Sequence, residues 1–112
     1  MVEIRNIGKG MALSLFALGW LVVTASPVYA ADGPAVYEKT CKLCHGHGVA
    51  GAPMAGDANA WKPRIAKGKD VLYTHAIDGF RDKAFMPPRG SNRSLSDDEV
   101  KAAVDYMIHL VE

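Results

Sequence analysis

Both cysteines of the chain fall inside one pentapeptide, Cys41-Lys42-Leu43-Cys44-His45, and that fact restricts the chain more than any other. A disulfide across this spacing closes a very small loop and removes little entropy from the unfolded chain, so it is a poor staple. A redox C-x-x-C of the thioredoxin kind needs a preceding strand inside a longer α/β chain, and neither is visible here. Zinc needs four ligands in a tetrahedron. Cys41, Cys44 and His45 are too crowded to converge on one ion, and no second pair completes the set. The reading that remains is covalent haem attachment through C-x-x-C-H. On a helical turn positions 41, 44 and 45 share one face. Two thiols can then bond two vinyl groups of a single porphyrin, while the adjacent imidazole turns under the ring to the iron.

The first thirty residues read as an export signal. Arg5 and Lys9 precede an apolar run over residues 11–25, Ser26-Pro27 breaks it, and Val28-Tyr29-Ala30 offers small residues for cleavage after Ala30 or Ala31. The apolar run has fifteen residues, short of the ~20 that span a bilayer, which argues against a retained anchor. The expectation is a signal peptide over 1–30 and one domain over 31–112. Of thirteen basic and twelve acidic residues, Arg5, Lys9 and Glu3 lie in the leader, which leaves eleven of each. A near-neutral domain excludes nucleic acid as the expected partner. So small a domain buries only about 60% of its unfolded surface and gains from a covalent cofactor.

Four short helices are predicted in the mature chain. Asp32-Gly33-Pro34 starts the first, with Pro34 in its first turn, and Val36, Tyr37, Cys41 and Cys44 form its stripe. Residues 46–56 hold four glycines and a proline and read as a loop. A second helix should begin near 59–61, since Pro63 is tolerated in a first turn, and stop at Gly68. A third covers 69–78, with Val71, Leu72, Ala76 and Phe80 on one face and Gly79 as its stop. Prolines 87 and 88 hold residues 85–90 extended. Ser96 and Glu99 form a capping box, and Leu95 with Val100 the hydrophobic staple around it. Val100, Ala103, Val104, Met107 and Val111 then bury one face of the last helix. No segment alternates with period two, so the domain reads as all-α.

The iron needs a second axial ligand, and the candidates are Met54, Met86, Met107, His47, His75 and His109. Met107 lies on the core stripe. His47 is too close to His45 to reach the opposite haem face. Met54 comes soon after the motif on the His45 side, and His109 sits near the end of the last helix. Met86 is favoured because Pro87 and Pro88 fix the backbone beyond it; His75 is the rival. A His/Met pair saturates the iron and leaves no position for a substrate, so the site would carry electrons and would not catalyse.

The pentapeptide, then Gly48-Val49-Ala50-Gly51-Ala52-Pro53, Trp61-Lys62-Pro63-Arg64, Met86-Pro87-Pro88-Arg89-Gly90 and the run from Leu95 to Met107, taken in order, closely resemble bacterial cytochrome c5. The resemblance implies the class I cytochrome c fold, in which the first and last helices cross beside the haem. It also implies His45 as proximal ligand, Met86 as distal ligand, and a periplasmic carrier between membrane quinol-oxidising complexes and terminal oxidases or reductases. In similar proteins a loop carbonyl receives the proximal imidazole N–H, here from the Pro53 region. Trp61 and Arg64 look like partners for a haem propionate. Some cytochromes c5 carry an extra cysteine pair before the last helix; this chain has Ser91-Asn92-Arg93-Ser94 there.

Partners are expected to be transient redox proteins met by a monomer. Lys39, Lys42, Lys62, Arg64, Lys67, Lys69 and Arg89 could form a basic rim that steers an acidic partner, or ordinary surface charge. Two other functions stay open, a haem subunit of a membrane-anchored oxidoreductase and a ligand-binding haem protein with an open distal face.

Overall fold

The computed structural model describes residues 19–25 and 30–112. Most of the expected export signal therefore lies outside the described residues. Among those described, no helix is long and apolar enough to cross a membrane.

The chain enters helix α1 (Gly33–Val36) through Asp32, whose carboxylate accepts from the Ala35 N–H at 3.1 Å. It continues through a π-turn (Tyr37–Cys41) into α2 (Lys42–His45). In the π-turn the Lys42 N–H reaches back five residues to the Tyr37 carbonyl. This departs from the uniform α-helical stripe expected over 36–44. The wider turn rotates α2 by roughly 100°, the angle of one extra residue. Tyr37 can then pack with Trp61 and Met107 while Cys44 and His45 line a cavity.

Helix α5 (Asp97–His109) lies against α1. Its capping box is complete: the Glu99 N–H donates to Ser96 Oγ at 3.2 Å and the Ser96 N–H to Glu99 Oε2 at 2.8 Å. The two helices meet at Gly33, where a Cβ would collide with the Ala102 carbonyl. Beside that contact the Tyr37 and Tyr106 rings sit 5.4 Å apart. Helix α4 (Lys69–Asp78) packs on the same long helix, burying Leu72 and Ala76 with Val100, Val104 and Ile108. Ile108 joins the core, while Val111 of the expected stripe is half-buried.

Three expectations need correction. Helix α3 (Ala58–Ile65) begins earlier than Pro63 suggested, because Asp57 caps it by accepting from the Ala60 N–H at 3.2 Å. Pro63 is thus internal. The carbonyl its missing N–H leaves free belongs to exposed Asn59, where water can satisfy it. Phe80 is not on the face of α4. Gly79 ends the helix at φ 88°, and Phe80–Arg81 (β1) pairs antiparallel with Phe85–Met86 (β2), Phe80 opposite Met86. Two-residue strands are too short to show alternation. Beyond Pro87 the chain is not extended but turns tightly over Pro88–Ser91, with Arg89, Gly90 and Ser91 at positive φ.

Candidate haem-binding site

A cavity of about 530 Å³ opens between α2, α3, α4 and the β1–β2 hairpin. That lies within the usual range of small-molecule sites, roughly 300–1,000 Å³. Cys41, Cys44 and His45 line it from one side, and Trp61, His75 and Met86 from others. The two cysteines are half-buried and unbridged. Burial pushes the Cys41 thiol up to about 11, so before attachment it is a neutral thiol at neutral pH.

His45 is 8% exposed, and its Nδ1 lies 2.8 Å from the Pro53 carbonyl. A carbonyl only accepts, so this bond assigns the proton to Nδ1 and leaves the Nε2 lone pair as the ring's only acceptor. Burial holds the imidazole below its usual pKa. The Pro53 bond opposes that shift, and the Arg64 charge adds to it. The ring is therefore neutral at neutral pH and oriented, the condition a metal-binding imidazole needs. The loop is folded back to make this contact by the Ala55 N–H, which donates to the His45 carbonyl at 2.7 Å.

Of the six candidates for a second ligand, the cavity wall holds two, Met86 and His75. Met107 is buried in the core, and Met54, His47 and His109 are exposed away from the cavity. The His75 ring lies on Phe80 with centroids 4.4 Å apart. Met86 is carried in by the hairpin, and its placement depends on Gly79. A Cβ there would lie 3.1 Å from the Met86 carbonyl and 3.0 Å from Pro88 Cδ, so only glycine lets the loop close onto the end of α4.

Trp61 and Arg64, the pair expected near a propionate, both line the cavity. Trp61, 6% exposed, spends its one donor on the Met54 carbonyl at 2.9 Å and serves as cavity wall. Arg64 also lines the cavity, with Nη1 donating to the Ala60 carbonyl at 2.6 Å, and keeps other donors free.

Comparison with known proteins agrees with this geometry. Residues 29–107 match the family model described as cytochrome c oxidase, cbb3-type, subunit III. The chain is 45% identical over 80 residues to cytochrome c-555 of Chlorobaculum thiosulfatiphilum, covering 70% of this chain and 93% of that one. It is 44% identical over 80 residues to cytochrome c5 of Azotobacter vinelandii, again covering 70% and 93%. The chain belongs to the cytochrome c5 family of class I c-type cytochromes. A chain in the crystal structure of an electron transfer complex of nitrite reductase with cytochrome c superposes with a TM-score of 0.65 at 38% identity, covering 71% of this chain and 94% of that one.

As a c-type cytochrome the protein binds one covalent haem c. The cavity fits that group: two adjacent thiols, a neutral imidazole with a free lone pair, and an otherwise mainly apolar wall. Where some cytochromes c5 have an extra disulfide, this cytochrome ties the segment differently. Asn92 Nδ2 donates to Oγ1 of buried Thr40 at 3.2 Å, and Asn92 Oδ1 accepts from the Ser94 hydroxyl at 2.6 Å. Thr40 and Asn92 carry no motif and could not be picked out from spacing.

The expected basic rim is smaller than its composition suggested. Lys42 pairs with Glu38 at 2.8 Å, Lys69 with Asp105 at 3.2 Å and Arg89 with Asp97 at 2.5 Å. Lys39, Lys62 and Lys67 form no ion pair among the described residues, and Lys67 borders the cavity with Lys83.

Proposed function

We propose that this cytochrome is an exported monohaem carrier of single electrons between membrane-bound respiratory complexes and terminal oxidases or reductases of the periplasm. Haem supplies the redox chemistry, an iron that alternates between ferric and ferrous states. Cys41 and Cys44 tether it by thioethers. His45 would offer Nε2 to the iron on one side while Pro53 holds its Nδ1 proton, and Met86 would offer its thioether as the second ligand. Two protein ligands leave no position for a substrate, so electrons pass and nothing is bound at the iron. The observation that carries this reading is the His45–Pro53 bond at 2.8 Å in a cavity that Met86 also lines.

The surface supports a brief encounter. Leu43 is 71% and Phe85 48% exposed, and both border the cavity beside Lys67 and Lys83. A small apolar contact flanked by cations suits an acidic redox partner that must leave quickly. The similar chain in an electron transfer complex of nitrite reductase with cytochrome c supports a redox protein as the partner.

The family model's description as an oxidase subunit favours a second reading, a haem subunit of a membrane complex. Fractionation separates the two. The carrier reading expects a soluble mature chain whose N-terminus is Ala31 or Asp32; a membrane-bound chain retaining residues 11–25 supports the subunit. On a denaturing gel haem should migrate with the polypeptide, and Cys41→Ala with Cys44→Ala should abolish this. Retention by the double variant would sink the tether.

A further inference from the structure

Beyond Met86-Pro87-Pro88 the backbone takes an uncommon course. Arg89, Gly90 and Ser91 occupy the left-handed region in succession, at φ 54°, 60° and 69°. Glycine does this freely, whereas Arg and Ser meet a steric penalty, so the surroundings must hold the turn. On one side Gly90 rests against Thr40, since a Cβ there would lie 3.1 Å from Thr40 Cγ2. On the other, the Arg89 side chain, only 25% exposed, donates through Nη1 to the Leu95 carbonyl at 2.9 Å and through Nη2 to Asp97 Oδ1 at 2.5 Å. Leu95 packs on the α4–α5 core and Asp97 is the first residue of α5. One guanidinium therefore bolts the turn after Met86 to the start of α5.

We infer that Arg89 is the positioning residue for Met86: its two-pronged contact with Leu95 and Asp97 keeps the left-handed turn closed and the thioether in the cavity. The inference rests on the reading of Met86 as the distal ligand. A thioether is a weak, neutral ligand, so its occupancy depends on how firmly the loop presents it. The apparent affinity of any competing ligand scales with the fraction of molecules whose loop is open. Only arginine reaches a carbonyl and a carboxylate at once through a planar fork; lysine offers a single point of attachment.

Titration of the oxidised holoprotein with imidazole, followed by absorption, tests this. Met86→Ala, whose distal side is open, sets the upper limit of affinity. Arg89→Ala should bind imidazole about tenfold more tightly than the parent, the effect of losing a charge-assisted hydrogen bond. Its covalent haem and reduced spectrum should be unchanged. Arg89→Lys and Asp97→Asn should lie between, and they carry the test if Arg89→Ala yields no holoprotein. Tyr73→Phe, which loses a hydrogen bond away from the loop, should match the parent. Parent-like affinity in Arg89→Ala, Arg89→Lys and Asp97→Asn overturns the positioning role and leaves Met86 as ligand. An equal rise in Tyr73→Phe overturns it too, by reducing the effect to general destabilisation. A parent that binds imidazole as tightly as Met86→Ala removes both readings.

Discussion

At the scale of single residues the site depends on where protons are held. The Pro53 carbonyl fixes the His45 tautomer, and burial keeps the ring neutral, so the lone pair needed for iron is available without a change of charge. The proline carbonyl was foreseeable because residues 48–53 match the family pattern. The Met54 carbonyl as acceptor for Trp61 was not, because a motif does not say which acceptor an indole N–H will find. Tyr73 offers a separate check on the packing of α4 against α5. Its hydroxyl donates to Asp105 at 2.5 Å, and burial first, then that bond, push it up to about 12. A raised phenol pKa means the neutral form is favoured in the folded protein. The contribution is complete below pH 10, the ordinary value, and is lost as pH rises through 12. Burial also raises the Tyr37 phenol, so ultraviolet titration of tyrosinate should show more than one late-ionising residue, and the component near 12 should disappear in Tyr73→Phe.

At the scale of elements, what could be read from sequence was what local chemistry alone decides. The α5 capping box, the Pro34 start and the Gly79 stop depend on neighbouring residues, and all are present. The π-turn and the β1–β2 hairpin depend on tertiary packing that no local pattern records, whereas the internal Pro63 follows from a local signal, the Asp57 cap. The close approach of α1 to α5 at Gly33 belongs to the same class. Gly33→Ala would push a methyl group into the Ala102 carbonyl, and overpacking of this kind costs about 1–3 kcal/mol. Guanidinium unfolding of the holoprotein should show a loss in that range with the haem spectrum preserved. Ser96→Ala should remove the N-cap of α5 and lower stability by about 1 kcal/mol in the same measurement.

At the scale of the whole molecule the protein part is an incomplete core. Its buried side chains form two clusters, one around Leu72, Val100 and Ile108 and one around Tyr37, Trp61 and Met107. Among the described residues no large side chain falls below 2% exposure, and about 530 Å³ separates the elements that hold the cysteines from those that hold Met86. Haem held there would fill that space and join the clusters, so the fold and the cofactor would stabilise each other. The chain with Cys41→Ala and Cys44→Ala should accordingly lose cooperative thermal unfolding by circular dichroism, whereas the holoprotein should unfold in one sharp transition. The central claim is a haem closed by His45 and Met86. The oxidised absorption spectrum tests it most directly, recorded on the parent and on Met86→Ala. The parent should show the methionine-sulfur-to-iron charge-transfer band, and the variant should lack it. A parent without that band would contradict the assignment and return the second ligand to His75, and a variant that keeps it would contradict it by pointing to another methionine such as Met54.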